Sequence, residues 1–156
     1  MIRGLLLTAC LLSATQAFAL TCVPPDPIGA FQEAQAAPET YKVLHGTLSF
    51  DPSRMPPGDG SAAPTPEPVG ARFTGFALGL AGFTRPVEAP MTLQPTCAGP
   101  WCGSIGPGTV LLFAEVTDAG YIVEIGPCGG GAFDQVPEAT LERLASCIRG
   151  EACAAP

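Results

Sequence analysis

The sequence predicts a mostly β domain: a small closed barrel of five strands with a short helix ahead of it and another behind. Three observations point there. Five segments between residues 41 and 125 carry strand patterning, two glycines interrupt the second of them, and helix boundary signals lie on either side.

The first element is a helix. Asp26 followed by Pro27 makes an N-cap with proline at the first helical position, and Ile28, Phe31 and Ala34 recur at helical spacing until Pro38 stops them. Residues 41–50 read as a strand, because Val43, His45, Thr47 and Ser49 alternate with Leu44, Gly46, Leu48 and Phe50; its aliphatic face is expected to be buried. Residues 51–70 then hold six prolines and three glycines with almost no apolar bulk, the composition of a disordered surface loop. The run Pro64-Thr65-Pro66-Glu67-Pro68 lacks flanking basic residues, which weakens a reading as a proline-rich ligand.

Strand signals return at 72–80, 87–94, 109–117 and 120–125. Gly75 and Gly79 mark places where the second strand bends or admits a bulge, as a small closed barrel requires. Asp118-Ala119-Gly120 is a hairpin turn between the last two strands. Leu112, Ala114 and Val116 on one side of it and Tyr121, Val123 and Ile125 on the other keep an apolar face. Gly129-Gly130-Gly131 lacks the Lys-Ser/Thr of a phosphate-binding loop and reads as a flexible connector to a final helix over 137–148. Leu141, Leu144 and Ile148 form that helix's apolar stripe, and Gly150 follows it.

Residues 1–19 combine Arg3, an apolar run through Leu12 and the small-residue pattern Ala17-Phe18-Ala19, the marks of a cleaved secretory signal. The apolar stretch is too short and too interrupted for a membrane span. Leu7-Thr8-Ala9-Cys10 resembles a lipobox, but only nine residues precede Cys10. Cleavage leaves 137 residues, enough for a single domain over 20–156. The expected location is secreted or periplasmic. Six basic residues then face fourteen acidic ones, a net charge of −8 that repels phosphate backbones and anionic lipid. A nucleic-acid partner is therefore not expected, nor a transmembrane segment in the mature chain; a protein partner is, with the chain itself a monomer.

Six cysteines remain after cleavage, namely Cys22, Cys97, Cys102, Cys128, Cys147 and Cys153. An even number in an exported chain points to disulfides, whereas the spacings match no zinc ribbon or finger. No metal and no cofactor is expected.

In combination these residues resemble a known family. Cys22-Val23-Pro24-Pro25, then Ala30-Phe31 and Ala34 on a helix, then a Val-Leu-His-Gly strand at 43–46, is similar to the opening of netrin-like domains, the fold shared with tissue inhibitors of metalloproteinases. Trp101-Cys102-Gly103, Gly106-Pro107-Gly108, Leu111-Leu112-Phe113, Gly120-Tyr121-Ile122-Val123 and Cys128-Gly129-Gly130 follow in the order of that family's closing strands. The resemblance covers 20–148 apart from the proline-rich loop. It implies an OB-type five-stranded Greek-key barrel with a C-terminal helix packed against it. It also implies the pairing Cys22–Cys128, leaving Cys97–Cys102 and Cys147–Cys153 as local bridges.

Inhibitor-type relatives begin Cys-x-Cys and place the α-amino group and carbonyl of the first cysteine on a protease's zinc. Here Leu20-Thr21-Cys22 occupies that start, so the rigidifying first bridge is missing. The implied function is an exported binding or accessory module without catalytic activity; metalloprotease inhibition through Leu20 and Thr21 is the alternative.

Catalytic patterns are weak. His45, the only histidine, would have to serve any nucleophile dyad and reads as a partly exposed strand residue. Gly103-Ser104-Ile105-Gly106 lacks the leading glycine of a nucleophile elbow. Glu115 and Glu124 are expected as outward residues on adjacent strands. Trp101, the sole tryptophan, is expected to cap a barrel end and, with Leu20 and Thr21, is a candidate partner contact.

Overall fold

A computed structural model describes residues 20–24, 26–61 and 65–154. The expected signal segment with Cys10, and Pro64 of the proline run, lie outside the described residues. Asp26 caps helix α1 (Pro27–Ala36): its carboxylate accepts hydrogen bonds from the amides of Ile28 and Gly29, each at 3.0 Å. Two of the amides that a helix start leaves unpaired are thereby satisfied.

The strands are β1 (Tyr41–Ser49), β2 (Val69–Gly79), β3 (Gly82–Pro95), β4 (Cys97–Ala98), β5 (Trp101–Cys102), β6 (Gly108–Thr117), β7 (Gly120–Gly126), β8 (Gly129–Gly130) and β9 (Ala132–Asp134). Helix α2 (Glu138–Ile148) follows, with Pro137 in the cap position. One sheet runs β8-β7-β3-β2-β1-β6-β9, and β6 also pairs with β7, so β1, β2, β3, β7 and β6 close into a ring. Every pairing in the ring is antiparallel except β3 with β7.

Leu44, Leu48, Phe73, Leu93, Leu112 and Val123 are among the buried side chains that fill this ring. A second core lies outside it, where Ile28 and Phe31 of α1 and Leu144 and Cys147 of α2 pack on Val43, Leu111, Phe113 and Phe133. β6 is therefore buried on both faces from Val110 to Ala114. Apolar residues run unbroken there for this reason, and alternation alone cannot rank the two faces.

Two interior glycines allow the tight coil. Gly46 lies opposite Gly75 in the β1–β2 register, and the Phe73 ring occupies the space that two side chains would otherwise fill. A Cβ on Gly75 would stand 2.4 Å from the His45 carbonyl oxygen and 2.8 Å from Phe73 Cζ. Gly75 thus marks a close backbone approach, and the register shift falls further on, between Ala77 and Leu78.

Several expectations need correcting. β2 and β3 are longer than the segments 72–80 and 87–94, meeting across a Leu80-Ala81 turn. Pro86 and Pro90 both lie within β3, which β7 joins only from Met91 onward. The earlier stretch has a neighbour on one side alone, which is where proline's missing N–H is tolerated.

The segment 51–70 is not a disordered loop throughout. Asp51 caps a 3-10 turn (Pro52–Arg54) by accepting hydrogen bonds from the Ser53 amide and hydroxyl, Met55 is buried in the ring core, and Val69 already belongs to β2. One buried methionine and one side-chain cap supply what composition did not reveal.

Nor is Gly129-Gly130-Gly131 a slack connector. Gly129 and Gly130 pair with Gly126 and Ile125, the Gly131 amide donates to the Glu124 carbonyl at 3.1 Å, and the Gly131 carbonyl accepts from the Phe113 amide at 2.7 Å. A Cβ on Gly131 would lie 2.5 Å from the Glu124 oxygen, so the glycine is needed for contact rather than slack. Val116, expected on the apolar face, is 37% exposed at the strand's end.

Candidate functional site

The disulfides define which surface segments are held in place. Cys22 is bonded to Cys128, Cys97 to Cys102 and Cys147 to Cys153, the same three pairs that the netrin-like resemblance implies. The first joins positions 106 residues apart and fixes the leading segment beside the turn that follows β7. Leu20, Thr21 and Val23 have no helix or strand partner, and Val23 is 84% exposed. A segment with two exposed apolar side chains is thus anchored covalently at Cys22, and the Asp26 cap sets the start of α1.

Behind this edge, α1 and the outer face of β6, β7 and β8 enclose a cleft of about 330 Å³. Glu33, Glu115 and Glu124 bring carboxylates to it, Tyr41 a phenol, and Ala30 and Ala34 an apolar wall. Glu115 and Glu124 are outward strand residues, as read from the sequence; the β1–β6 register sets Tyr41 opposite Glu115, and the docking of α1 brings Glu33. Burial pushes the Tyr41 phenol above its ordinary pKa, and the carboxylates of Glu115, Glu39 and Glu124 add to the shift. Among the described residues, no group of three His, Cys, Asp or Glu side chains is arranged to hold a metal ion.

Trp101 is half-buried. It lies in the β4–β5 hairpin, and its indole ring packs over Gly60, which adopts φ +82° where a Cβ would stand 3.0 Å from the ring. The tryptophan therefore holds the 56–61 stretch down, and Met55, Phe50 and Ile105 are the side chains packed on the ring core at that level. Gly103 locks the same hairpin to the barrel: its amide donates to the Thr96 carbonyl at 2.9 Å, and a Cβ there would fall 1.9 Å from the Ile125 oxygen.

His45 faces outward with its ring 5.7 Å from that of Phe83, edge to face. No nucleophile partners it among the hydrogen bonds of the described residues. At the C-terminal tail, the Gln32 side-chain amide donates to the Cys153 carbonyl at 2.6 Å, tying the Cys147–Cys153 loop to α1.

Lys42 and Arg85 escaped the sequence reading, and Tyr121 was read only as part of an apolar strand face. Lys42, Arg85 and Tyr121 occupy positions whose register partners, Ala114, Ala77 and Met91, are buried in the ring. The available signal was a cation at Lys42, two residues before Leu44 on the apolar face of β1.

Together these features define a mostly β, disulfide-stapled domain with a closed ring of strands and two helices on its outer face. Comparison with protein-family models, curated proteins and solved structures returns no match for the chain. No helix among the described residues is long and apolar enough to cross a membrane.

Proposed function

We propose that the chain is an exported OB-type barrel of netrin-like character that serves as a binding or accessory module, meeting a protein partner with its leading edge. The observation that carries this reading is the anchored Leu20–Val23 segment, whose apolar side chains point to solvent while Cys22 is fixed to Cys128. A segment immobilised before binding loses little entropy on binding, which is the physical advantage of such a staple. Support for the OB type comes from the ring order, in which the five long strands follow one another as first, second, third, fifth and fourth, with a parallel third–fifth pairing. Three bridges and the signal-like residues 1–19 support export to an oxidising compartment.

A photoactivatable cross-linker at Val23 tests the reading in the exporting cell. A discrete covalent adduct is expected, and it should vanish when Cys22 and Cys128 are both changed to alanine in a chain that still folds. Cross-linking from Leu80 but not from Val23 would overturn the assignment of the edge. Metalloprotease inhibition through Leu20 and Thr21 makes a different demand. It requires a free amino group at Leu20, so a two-residue extension ahead of Leu20 would abolish inhibition in a peptide-cleavage assay and leave the Val23 adduct unchanged.

A further inference from the structure

One end of the barrel carries charge on positions that elsewhere hold apolar side chains. Lys42, Arg85 and Tyr121 border a cleft of about 370 Å³ there, and Ala77, Val87 and Ala89 supply apolar wall. Lys42 and Arg85 stand opposite Ala114 and Ala77, both buried in the ring, so their Cα positions have the inward parity of the strand. Continued alternation would place leucine or valine at these positions.

The two cations have no carboxylate partner among the described ion pairs, which join only Arg72 with Glu88 and Arg149 with Glu151. Lys42 Nζ donates to the Tyr121 hydroxyl at 3.0 Å and lies 5.4 Å from that ring's centroid, so one donor is used and the charge remains. Among the described residues the Arg85 guanidinium makes no hydrogen bond or ion pair, and its Cδ lies 3.6 Å from where a Cβ on Gly79 would stand. Glu88 also borders the cleft, but its carboxylate faces Arg72 at 3.5 Å. Lys42 is the chain's only lysine.

From this placement we infer that the barrel mouth is a binding site for a small organic carboxylate with an apolar body. A planar guanidinium fork matches a carboxylate in bidentate fashion, and the Lys42 ammonium on the same cleft adds a second charge. The alanine and valine walls accept the rest of the molecule. Polyanions are disfavoured because the surrounding chain is strongly acidic, so only a compact anion reaches the two cations without meeting like charge. This inference does not depend on the leading-edge reading, since the two surfaces share no residue.

The sole lysine provides the assay. Reductive methylation with carbon-13 formaldehyde labels Lys42 and the α-amino group and keeps the charge, so the Lys42 resonance reports on the mouth alone. Titration with benzoate should move it saturably, whereas neutral benzamide should not, and inorganic phosphate should bind more weakly than benzoate. Arg85→Gln should weaken benzoate about tenfold, the loss expected for a charge-assisted pair. Arg149→Gln, which changes net charge equally at the C-terminal tail, should leave affinity unchanged. Equal responses to benzoate and benzamide, tighter phosphate than benzoate, or equal losses in the two arginine variants would each overturn the proposal. Since Arg85 is exposed, its variant is expected to fold, and an unshifted methyl-region spectrum without ligand checks this.

Discussion

Gly75→Ala asks whether the ring is as tightly coiled as its register implies. An added Cβ would meet the His45 carbonyl oxygen at 2.4 Å, the Gly46 Cα at 2.6 Å and Phe73 Cζ at 2.8 Å. Ordinary contacts lie near 3.4 Å or beyond, so β1 and β2 must separate locally by several tenths of an ångström, and two of the three obstacles are backbone. Overpacking of a dense interior costs about 1–3 kcal/mol, and backbone obstacles place this case at the upper end. Lower unfolded-state entropy returns about 0.4–1 kcal/mol, leaving a net loss of roughly 2 kcal/mol. Gly70→Ala on the same strand is the internal control: it is exposed, with nothing within 4 Å of its Cβ, and the same entropy effect predicts neutrality or slight stabilisation. Urea midpoints of the two variants, with disulfides intact, measure the difference. Equal midpoints, or a Gly75→Ala protein as stable as the parent, would refute the close β1–β2 approach.

The remaining expectations concern other contacts. Gly103→Ala puts a Cβ on the Ile125 oxygen and should detach the β4–β5 hairpin, seen as faster amide exchange at Gly103, whose amide otherwise bonds the Thr96 carbonyl. Replacing Cys22 and Cys128 with alanine should destabilise by about 4.8 kcal/mol in the chain-entropy account, about twice the roughly 2.3 kcal/mol for Cys147 with Cys153, because the first closes a loop of 106 residues and the second a loop of 6. Chemical denaturation of the two double variants tests the ranking, which fails if the short loop proves the costlier. The raised Tyr41 pKa means that the folded state holds its phenolic proton longer than the unfolded chain, so stability should fall as pH rises past the ordinary tyrosine range. Tyr41→Phe should flatten that alkaline decline, and Glu115→Gln should lower the Tyr41 titration midpoint seen in tyrosinate absorbance.

What could be read from the residues divides along a physical line. Local chemistry was legible: the Asp26-Pro27 start of α1, the Asp118-Ala119 turn, and the Leu141-Leu144-Ile148 stripe each depend on neighbours within a few positions. In the turn, the Thr117 hydroxyl donates to the Gly120 carbonyl at 2.9 Å and accepts from the Ala119 amide at 3.2 Å. Non-local backbone contact was not legible. Gly131 looked slack because a glycine gives no sign of the strand it touches, and β3 was read as starting at 87 because nothing local shows that Phe83, Arg85 and Pro86 pair with β2. Trp101 was expected to cap a barrel end, and nothing local shows that its ring rests on Gly60, more than forty residues earlier in a segment that composition assigned to disorder. The candidate sites divide in the same way. Glu115 and Glu124 could be read as outward strand neighbours, while Glu33, Lys42 and Arg85 reach their clefts only through docking of α1 and closure of the ring.

Peptide mapping of the protein without reduction is the most direct test, because the leading edge owes its fixed position to one covalent bond. Digestion should yield peptides linking Cys22 to Cys128, Cys97 to Cys102 and Cys147 to Cys153, with no free thiol among them. Free thiols among these six cysteines, or Cys22 joined to Cys97 or Cys147, would contradict the stapled edge and the binding role built on it.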